Sequence, residues 1–168
     1  VIYLLGKAAA ALTSAGIGVG VAVKYGESPL VTVSAAVAAM VGGYAGKITG
    51  GTFFVDGNAV LAGPGEPLGA FIAAFAGITC GHLVSGKTKV DIIVTPVITI
   101  GAGSVVGLLV GPPISQMMTG LGSIINWATE QRPFIMGIVV SVVMGMVLTL
   151  PISSAALGII LNLSGLAS

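Results

Sequence analysis

The strongest candidate for chemistry in this sequence is an acid held in a rigid turn. Glu66 stands in Gly63-Pro64-Gly65-Glu66-Pro67, directly before a long apolar run. The positive end of a helix dipole favours the ionised form of a carboxylate at that position. Such a carboxylate can cap the helix, or it can accept hydrogen bonds from a bound ligand. The sequence leaves both roles open.

Two more oxygen-bearing side chains precede Glu66 in the same glycine-rich stretch. Asp56 and Asn58 flank Gly57, and their carboxylate and amide oxygens can accept hydrogen bonds from the hydroxyls of a polar solute. Asp-Gly is also a strong turn signal, and a turn is the favoured interpretation. Both residues are kept as candidates for substrate binding.

His82 and Cys80 are the only histidine and the only cysteine in the chain. They are too few for a zinc ligand set, and a single cysteine cannot form a disulfide within the chain. We interpret Cys80 as inert. A histidine near the end of an apolar run is more typical of hydrogen-bonded packing, and His82 is carried as a substrate-binding candidate beside that interpretation. We predict no metal ion and no cofactor.

A further polar cluster follows a proline late in the chain. Ser153 and Ser154 stand just after Pro151, between two apolar runs. Interrupted helices of this kind often form the solute sites of transporters, because their free backbone groups face the substrate. The two hydroxyls can equally cap the helix that follows them. They are the last of the substrate-binding candidates.

The elements that must position these residues lie in a membrane. Hydrophobic residues make up 55% of the chain and charged residues 7%, and the mean hydropathy is +1.13. Soluble domains carry roughly 25% charged residues, so the chain lacks the polar surface that a soluble protein needs. The net charge is only +1, whereas a nucleic-acid binder carries a clear excess of basic residues.

Apolar runs separated by polar residues predict the spans. They cover residues 8–23, 29–45, 67–84, 90–110, 134–150 and 152–166. A bilayer crossing needs about 20 apolar residues, and several runs are shorter. We therefore predict an all-α integral membrane protein, a polytopic bundle of about five to six short transmembrane or half-spanning helices. Residues 1–168 are expected to form a single transmembrane domain, with a separate amphipathic helix at the interface over 114–131.

Glycine accounts for 27 residues and carries two expectations. Segment 50–70 is too apolar and too rich in Gly and Pro for a free aqueous linker, so we predict a re-entrant loop that folds back into the protein. Small residues also recur at helical spacing, for example at Gly16 and Gly20 and at Gly103 and Gly107. Such spacing favours close helix packing in lipid.

Three motifs resemble one known family. They are GTFFVDGNAVLAGPGEPLGAF, GHLVSGKTKVDIIVTP and LTLPISSAALG, within residues 46–167. The chain resembles the enzyme IIC membrane permease of the bacterial phosphotransferase system, and in particular a subgroup that includes putative toxin regulators. Members of that family are longer, so the chain is expected to be a fragment of a longer permease domain.

The resemblance implies a multi-pass protein of the bacterial inner membrane that binds a sugar or sugar-like solute and moves it inward. It implies the cytosolic components IIB and IIA as partners, a homodimer in contact with membrane lipid, and a sugar-binding role for Glu66. The phosphoryl-accepting residues of the system belong to separate domains, so whether this chain counts as an enzyme stays open. An alternative stays open too, a regulatory or sensory membrane protein on the same scaffold without transport.

Overall fold

The computed structural model describes residues 1–55, 58, 59, 61, 63, 65–129 and 133–149. The chain divides into two compact units, Val1–Pro112 and Pro113–Ser168. The elements are α1 (Ile2–Ala11), α2 (Thr13–Lys24), α3 (Pro29–Gly43), α4 (Ala45–Thr49), β1 (Phe54–Val55), β2 (Asn58–Ala59), α5 (Pro67–Val84), α6 (Asp91–Thr129) and α7 (Pro133–Leu148). The prediction of an all-α membrane protein is confirmed, with one short hairpin added.

The first apolar run forms two helices rather than one. Helices α1 and α2 meet at Leu12 with a bend of 47°. Taken together they are long and apolar enough for one crossing, with the break near the middle of the span. A break at that depth leaves backbone groups that only protein neighbours or enclosed water can satisfy.

Helices α3 and α5 begin in the same way, with a proline in the first turn, where the missing N–H removes no helical hydrogen bond. Before α3, the Ser28 hydroxyl accepts a hydrogen bond from Val31 N at 3.4 Å. Before α5, Glu66 occupies the N-cap position, with φ −95° and ψ 110°. The predicted third span, 67–84, coincides with α5.

The core of the first unit consists of small side chains at the contact of α2, α3 and α5. Its buried members are Ala22, Val31, Ala35, Ala39, Ala70, Ala74 and Ile78. Because most of these are alanines, the helix backbones come close together. This is the packing expected in lipid, where shape complementarity replaces the hydrophobic effect between helices.

The first part of α6 packs against α3 and α5 through glycines. A Cβ added at Gly103 would lie 2.6 Å from both Ala38 Cβ and the Ala73 carbonyl oxygen. A Cβ added at Gly107 would lie 2.9 Å from both Ala73 Cβ and Gly42 Cα. The predicted packing role of Gly103 and Gly107 is therefore confirmed.

The pair Gly16 and Gly20 does not pack in this way. A Cβ added at either residue would meet no atom within 4 Å among the described residues. Their side of α2 is exposed, whereas Gly18 between them faces the core. A Cβ added at Gly18 would lie 2.5 Å from the Ala35 carbonyl oxygen. The spacing was right for a helix, but the buried face is the other one.

Helix α6 corrects a second expectation. We predicted that the fourth span ends near residue 110 and that an interfacial helix follows separately, but α6 runs unbroken from Asp91 to Thr129. Pro112 and Pro113 lie within it, at the boundary between the two units. Consecutive prolines remove two helical hydrogen bonds, which is a physical reason for a division at that point.

The second unit contains the rest of α6 and helix α7. On α6, Ile114, Met118 and Ile125 are buried, and their spacing of four and seven residues places them on one face. Trp127 is exposed, as an aromatic anchor at a membrane interface is. On α7, the Ser141 hydroxyl donates to the Gly137 carbonyl within the helix.

Helix lengths decide which elements can cross a bilayer. Helices α5 and α6 are long and apolar enough, and the bent α1–α2 pair makes a third candidate. Helix α3 has 15 residues, or about 22 Å, which is less than the roughly 30 Å hydrocarbon core. Helix α3 thus fits the predicted class of half-spanning helices. The predicted run 152–166 lies outside the described residues.

Candidate functional site

Glu66 stands directly before α5, which begins at Pro67. The N-cap residue is Glu66, but its side chain makes no capping hydrogen bond to the helix backbone. Its Oε2 atom is buried. Of the two roles that the sequence left open, capping is the one for which the structure shows no side-chain hydrogen bond. The ligand-binding role of Glu66 stays a prediction.

The backbone of Glu66 is fixed by the end of α3. Glu66 N donates a hydrogen bond to the Gly43 carbonyl at 2.7 Å. Gly65 has a positive φ of 72°, and a Cβ added there would lie 2.6 Å from Ser14 Oγ and 2.9 Å from the Gly43 oxygen. Both the conformation and the space thus require glycine at position 65. The turn lies directly on α2 and α3.

Tyr44 provides a second attachment of the same loop. Its side chain is 1% exposed, and its hydroxyl donates to the Gly63 carbonyl at 2.6 Å. The Ala11 carbonyl oxygen, at the end of α1, lies 3.4 Å from the same hydroxyl. Tyr44 itself stands between α3 and α4 as the C-cap of one helix and the N-cap of the other.

Three interruptions of helical structure therefore meet beside Glu66. They are the α1–α2 break at residues 11–14, the α3–α4 corner at residues 43 and 44, and the loop residues 63, 65 and 66. We call this set the helix-break junction. Broken helices with free backbone groups next to a polar side chain are the architecture of many solute sites in transporters.

The other candidates of the glycine-rich stretch are placed in part. Phe54 pairs with Ala59 and Val55 with Asn58 in an antiparallel hairpin. Asn58 is exposed in that hairpin, so its amide is accessible to a solute. Asp56, Ser153 and Ser154 lie outside the described residues, and their binding roles stay predictions. Segment 50–70 does return to the helices, as expected of a re-entrant loop, through residues 63, 65 and 66.

His82 lies at the opposite end of α5. Sixteen residues of helix separate it from Glu66, or about 24 Å, so both side chains cannot contact one small sugar in this arrangement. His82 Nδ1 lies 2.9 Å from Glu27 Oε1, and the carboxylate side chain is 8% exposed. Tyr25 and Phe75 form an edge-to-face pair at 5.9 Å in the adjoining cleft of about 290 Å³. His82 is thus hydrogen-bonded to Glu27, and its own side chain is 71% exposed.

That end of the first unit is tied together by several polar contacts. The hydroxyls of Ser28 and Ser85 lie 3.1 Å apart, which joins the α2–α3 connection to the α5–α6 connection. Asp91 Oδ1 accepts hydrogen bonds from Gly86 N at 3.0 Å and from Thr95 Oγ1 at 2.6 Å. These bonds close the connection before α6, and they account for an acid in the first turn of that helix.

Sequence reasoning missed the partners of Glu66. Tyr44, Gly43 and Ser14 shape the junction, yet none of them stands in a recognisable motif. The available signal was a single tyrosine that follows two glycines, directly before the glycine-rich stretch. A phenol in an apolar run needs a hydrogen-bond partner when it is buried, and the search for that partner leads to Gly63.

The described helices, two or three of which are long and apolar enough to cross a membrane, are those of an all-α membrane protein. The chain matches the family described as phosphotransferase system, EIIC, over residues 1–168, and it belongs to that family. EIIC proteins are the membrane component of the phosphotransferase system. Neither a curated protein nor a solved structure matches the chain.

Proposed function

We propose that this chain is the part of a sugar permease that binds and translocates its substrate, and that Glu66 accepts hydrogen bonds from the hydroxyls of the sugar. The observation that carries the proposal is the placement of Glu66, at the head of a candidate membrane span and within the helix-break junction. Membership of the EIIC family supports transport within a phosphotransferase system.

The chemistry of the junction suits a neutral, hydroxyl-rich solute. An ionised carboxylate accepts several hydrogen bonds, and those to a charged acceptor contribute about 1.5–3 kcal/mol each. Asn58 adds an amide that both donates and accepts. Asp56, Ser153 and Ser154 are proposed as further contacts. His82, about 24 Å from Glu66 along α5, is left out of this site.

The setting of the proposal follows from the family. We propose a multi-pass protein of the bacterial inner membrane, in contact with lipid and assembled as a homodimer. The phosphotransferase components IIB and IIA are its proposed cytosolic partners, with IIB phosphorylating the sugar after it arrives. No feature of the described residues favours the regulatory alternative, and the family match favours transport.

The test is ligand-induced stabilisation of the purified full-length protein. The probes are glucose, maltose, cellobiose, N-acetylglucosamine and gluconate, each measured by thermal unfolding in detergent. A ligand that binds only the native state stabilises it by about 2.7 kcal/mol at 100 times its dissociation constant. We expect at least one probe to stabilise the parent protein, and we expect Glu66→Gln to lose that stabilisation while remaining folded.

Glu27→Gln is the matched control. It makes the same chemical change in a carboxylate at the other end of α5, where Glu27 pairs with His82. An unchanged ligand effect in Glu66→Gln would remove Glu66 from the site. A loss confined to Glu27→Gln would place the site at the His82 end instead. Failure of every probe to stabilise a folded parent protein would count against sugar binding altogether.

A further inference from the structure

We propose that Tyr44 is a positioning residue for Glu66, and that its hydroxyl holds the loop before α5 in the arrangement that presents the carboxylate to substrate. The inference rests on the proposed function of Glu66 and goes beyond it, because Tyr44 itself is not proposed to contact the substrate. It identifies a side chain that determines affinity through the backbone.

The geometry shows how a phenol can act at that distance. Tyr44 Oη donates to the Gly63 carbonyl at 2.6 Å, and Glu66 N donates to the Gly43 carbonyl at 2.7 Å. Gly43, the last residue of α3, holds Glu66, and Tyr44, the C-cap of α3, holds Gly63. The two points of the loop lie three residues apart. With both points fixed, the corner between α3 and α4 sets the position of the Glu66 backbone, from which the side chain extends.

The ring of Tyr44 is held independently of its hydroxyl. The Phe53 ring packs against it with centroids 5.7 Å apart, and Lys47 Nζ lies 5.4 Å from its centroid. These contacts persist when only the oxygen is removed. Tyr44→Phe therefore tests the hydrogen bond to Gly63 while leaving the packing of the ring in place.

The hydroxyl also joins the loop to the α1–α2 break. The Ala11 carbonyl oxygen is 3.4 Å from Tyr44 Oη, so the phenol lies between the last residue of α1 and the loop. A bend in the first span and the position of Glu66 thus share one polar contact. A purely space-filling aromatic residue would link neither.

The first measurement needs no ligand. The Glu66 amide donates to the Gly43 carbonyl, so exchange of its hydrogen for deuterium requires the loop to open. In the full-length protein, we compare the rate of deuterium labelling of this amide with and without Tyr44→Phe. Loss of a hydrogen bond worth about 0.5–1.5 kcal/mol should raise the rate about two- to tenfold. Tyr25→Phe, at the exposed far end of α2, is the control and should leave the rate unchanged.

The second measurement is affinity for whichever of the five sugars stabilises the parent protein. Tyr44→Phe should weaken that affinity about two- to tenfold, with no greater fall in the unliganded unfolding temperature than the loss of one hydrogen bond implies. Replacement of Tyr44 by 4-aminophenylalanine, which keeps a donor at the same place, should restore both the affinity and the slow labelling. A merely structural residue would change the unliganded stability rather than the affinity.

The outcomes separate the two proposals. Parental labelling and parental affinity in Tyr44→Phe would overturn the positioning role and leave Glu66 in the site. A Tyr44→Phe protein that is destabilised or unfolded without a change in affinity would overturn it too. Faster labelling of Tyr44→Phe, combined with a full ligand effect in Glu66→Gln, would show that the loop is held by Tyr44 but that the proposed substrate site is wrong.

Discussion

The tightest test of the helix packing is an added methyl group at Gly103. A Cβ there would lie 2.6 Å from Ala38 Cβ on α3 and from the Ala73 carbonyl oxygen on α5. The carbonyl is backbone and cannot rotate away, so a helix must move by most of an ångström. Overpacking of this kind costs about 1–3 kcal/mol. Gly103→Ala should lower the free energy of unfolding accordingly.

Gly101→Ala is the matched control on the same helix. A Cβ at Gly101 would meet no described atom within 4 Å. Replacement of a helical glycine by alanine stabilises a helix by about 0.5–1 kcal/mol, and this gain is common to both variants. The difference between the variants therefore isolates the overpacking term, about 1–3 kcal/mol.

Reversible unfolding of the full-length protein in mixed detergent micelles measures that difference. Gly101→Ala should be as stable as the parent protein or slightly more stable, and Gly103→Ala should be the least stable of the three. Equal stability of the two variants would refute the contact between α6 and the α3–α5 pair. It would also remove the framework on which the start of α5 and Glu66 depends.

Two further pairs of variants test local features. The Thr99 hydroxyl is buried and has no hydrogen-bond partner among the described residues, so Thr99→Val should raise the free energy of unfolding by about 1 kcal/mol. Thr95→Val removes the donor to Asp91 and should lower the free energy of unfolding by about 1–2 kcal/mol in the same assay. Destabilisation of similar size in Thr95→Val and Thr99→Val would contradict the difference between the two hydroxyls. Gly65 and Gly51 both have φ near +70°, so alanine at either costs about 1–2 kcal/mol of backbone strain. Of the two, only Gly65 has atoms within reach of an added Cβ. Gly65→Ala should therefore also lose the sugar-induced stabilisation, whereas Gly51→Ala should retain it. Loss in both variants would argue against a specific role of the turn.

Local signals in the sequence were sufficient for some elements. Helix α5 was predicted with its observed bounds because a proline marks its first turn and a polar, lysine-containing loop follows its end. Glu66 was selected as a candidate for the same reason, since acids are rare in such a sequence and this one stands in a rigid turn. These features are readable because they depend on neighbours in the chain.

Other features depend on contacts that no local pattern encodes. The fourth span was predicted to end at residue 110, whereas α6 continues through Pro112 and Pro113. Prolines are tolerated within membrane helices when neighbouring groups satisfy the freed carbonyls, and that depends on tertiary structure. Likewise, the role of Tyr44 depends on Gly63, nineteen residues further along the chain. Which face of α2 is buried was also decided by its partners, since glycines occur on both sides.

The near-absence of side-chain volume between α3, α5 and α6 has a mechanical consequence. Where backbones touch at Gly77, Gly103 and Gly107, the helices cannot slide past one another without collision, so they behave as one stiff block. Any change of shape during a transport cycle must then be concentrated where helical structure is interrupted. Three of those places are the bend at Leu12, the corner at Tyr44 and the turn at Gly65. Under the proposed transport function, these three pivots surround Glu66, so that movement and recognition would act on the same few residues.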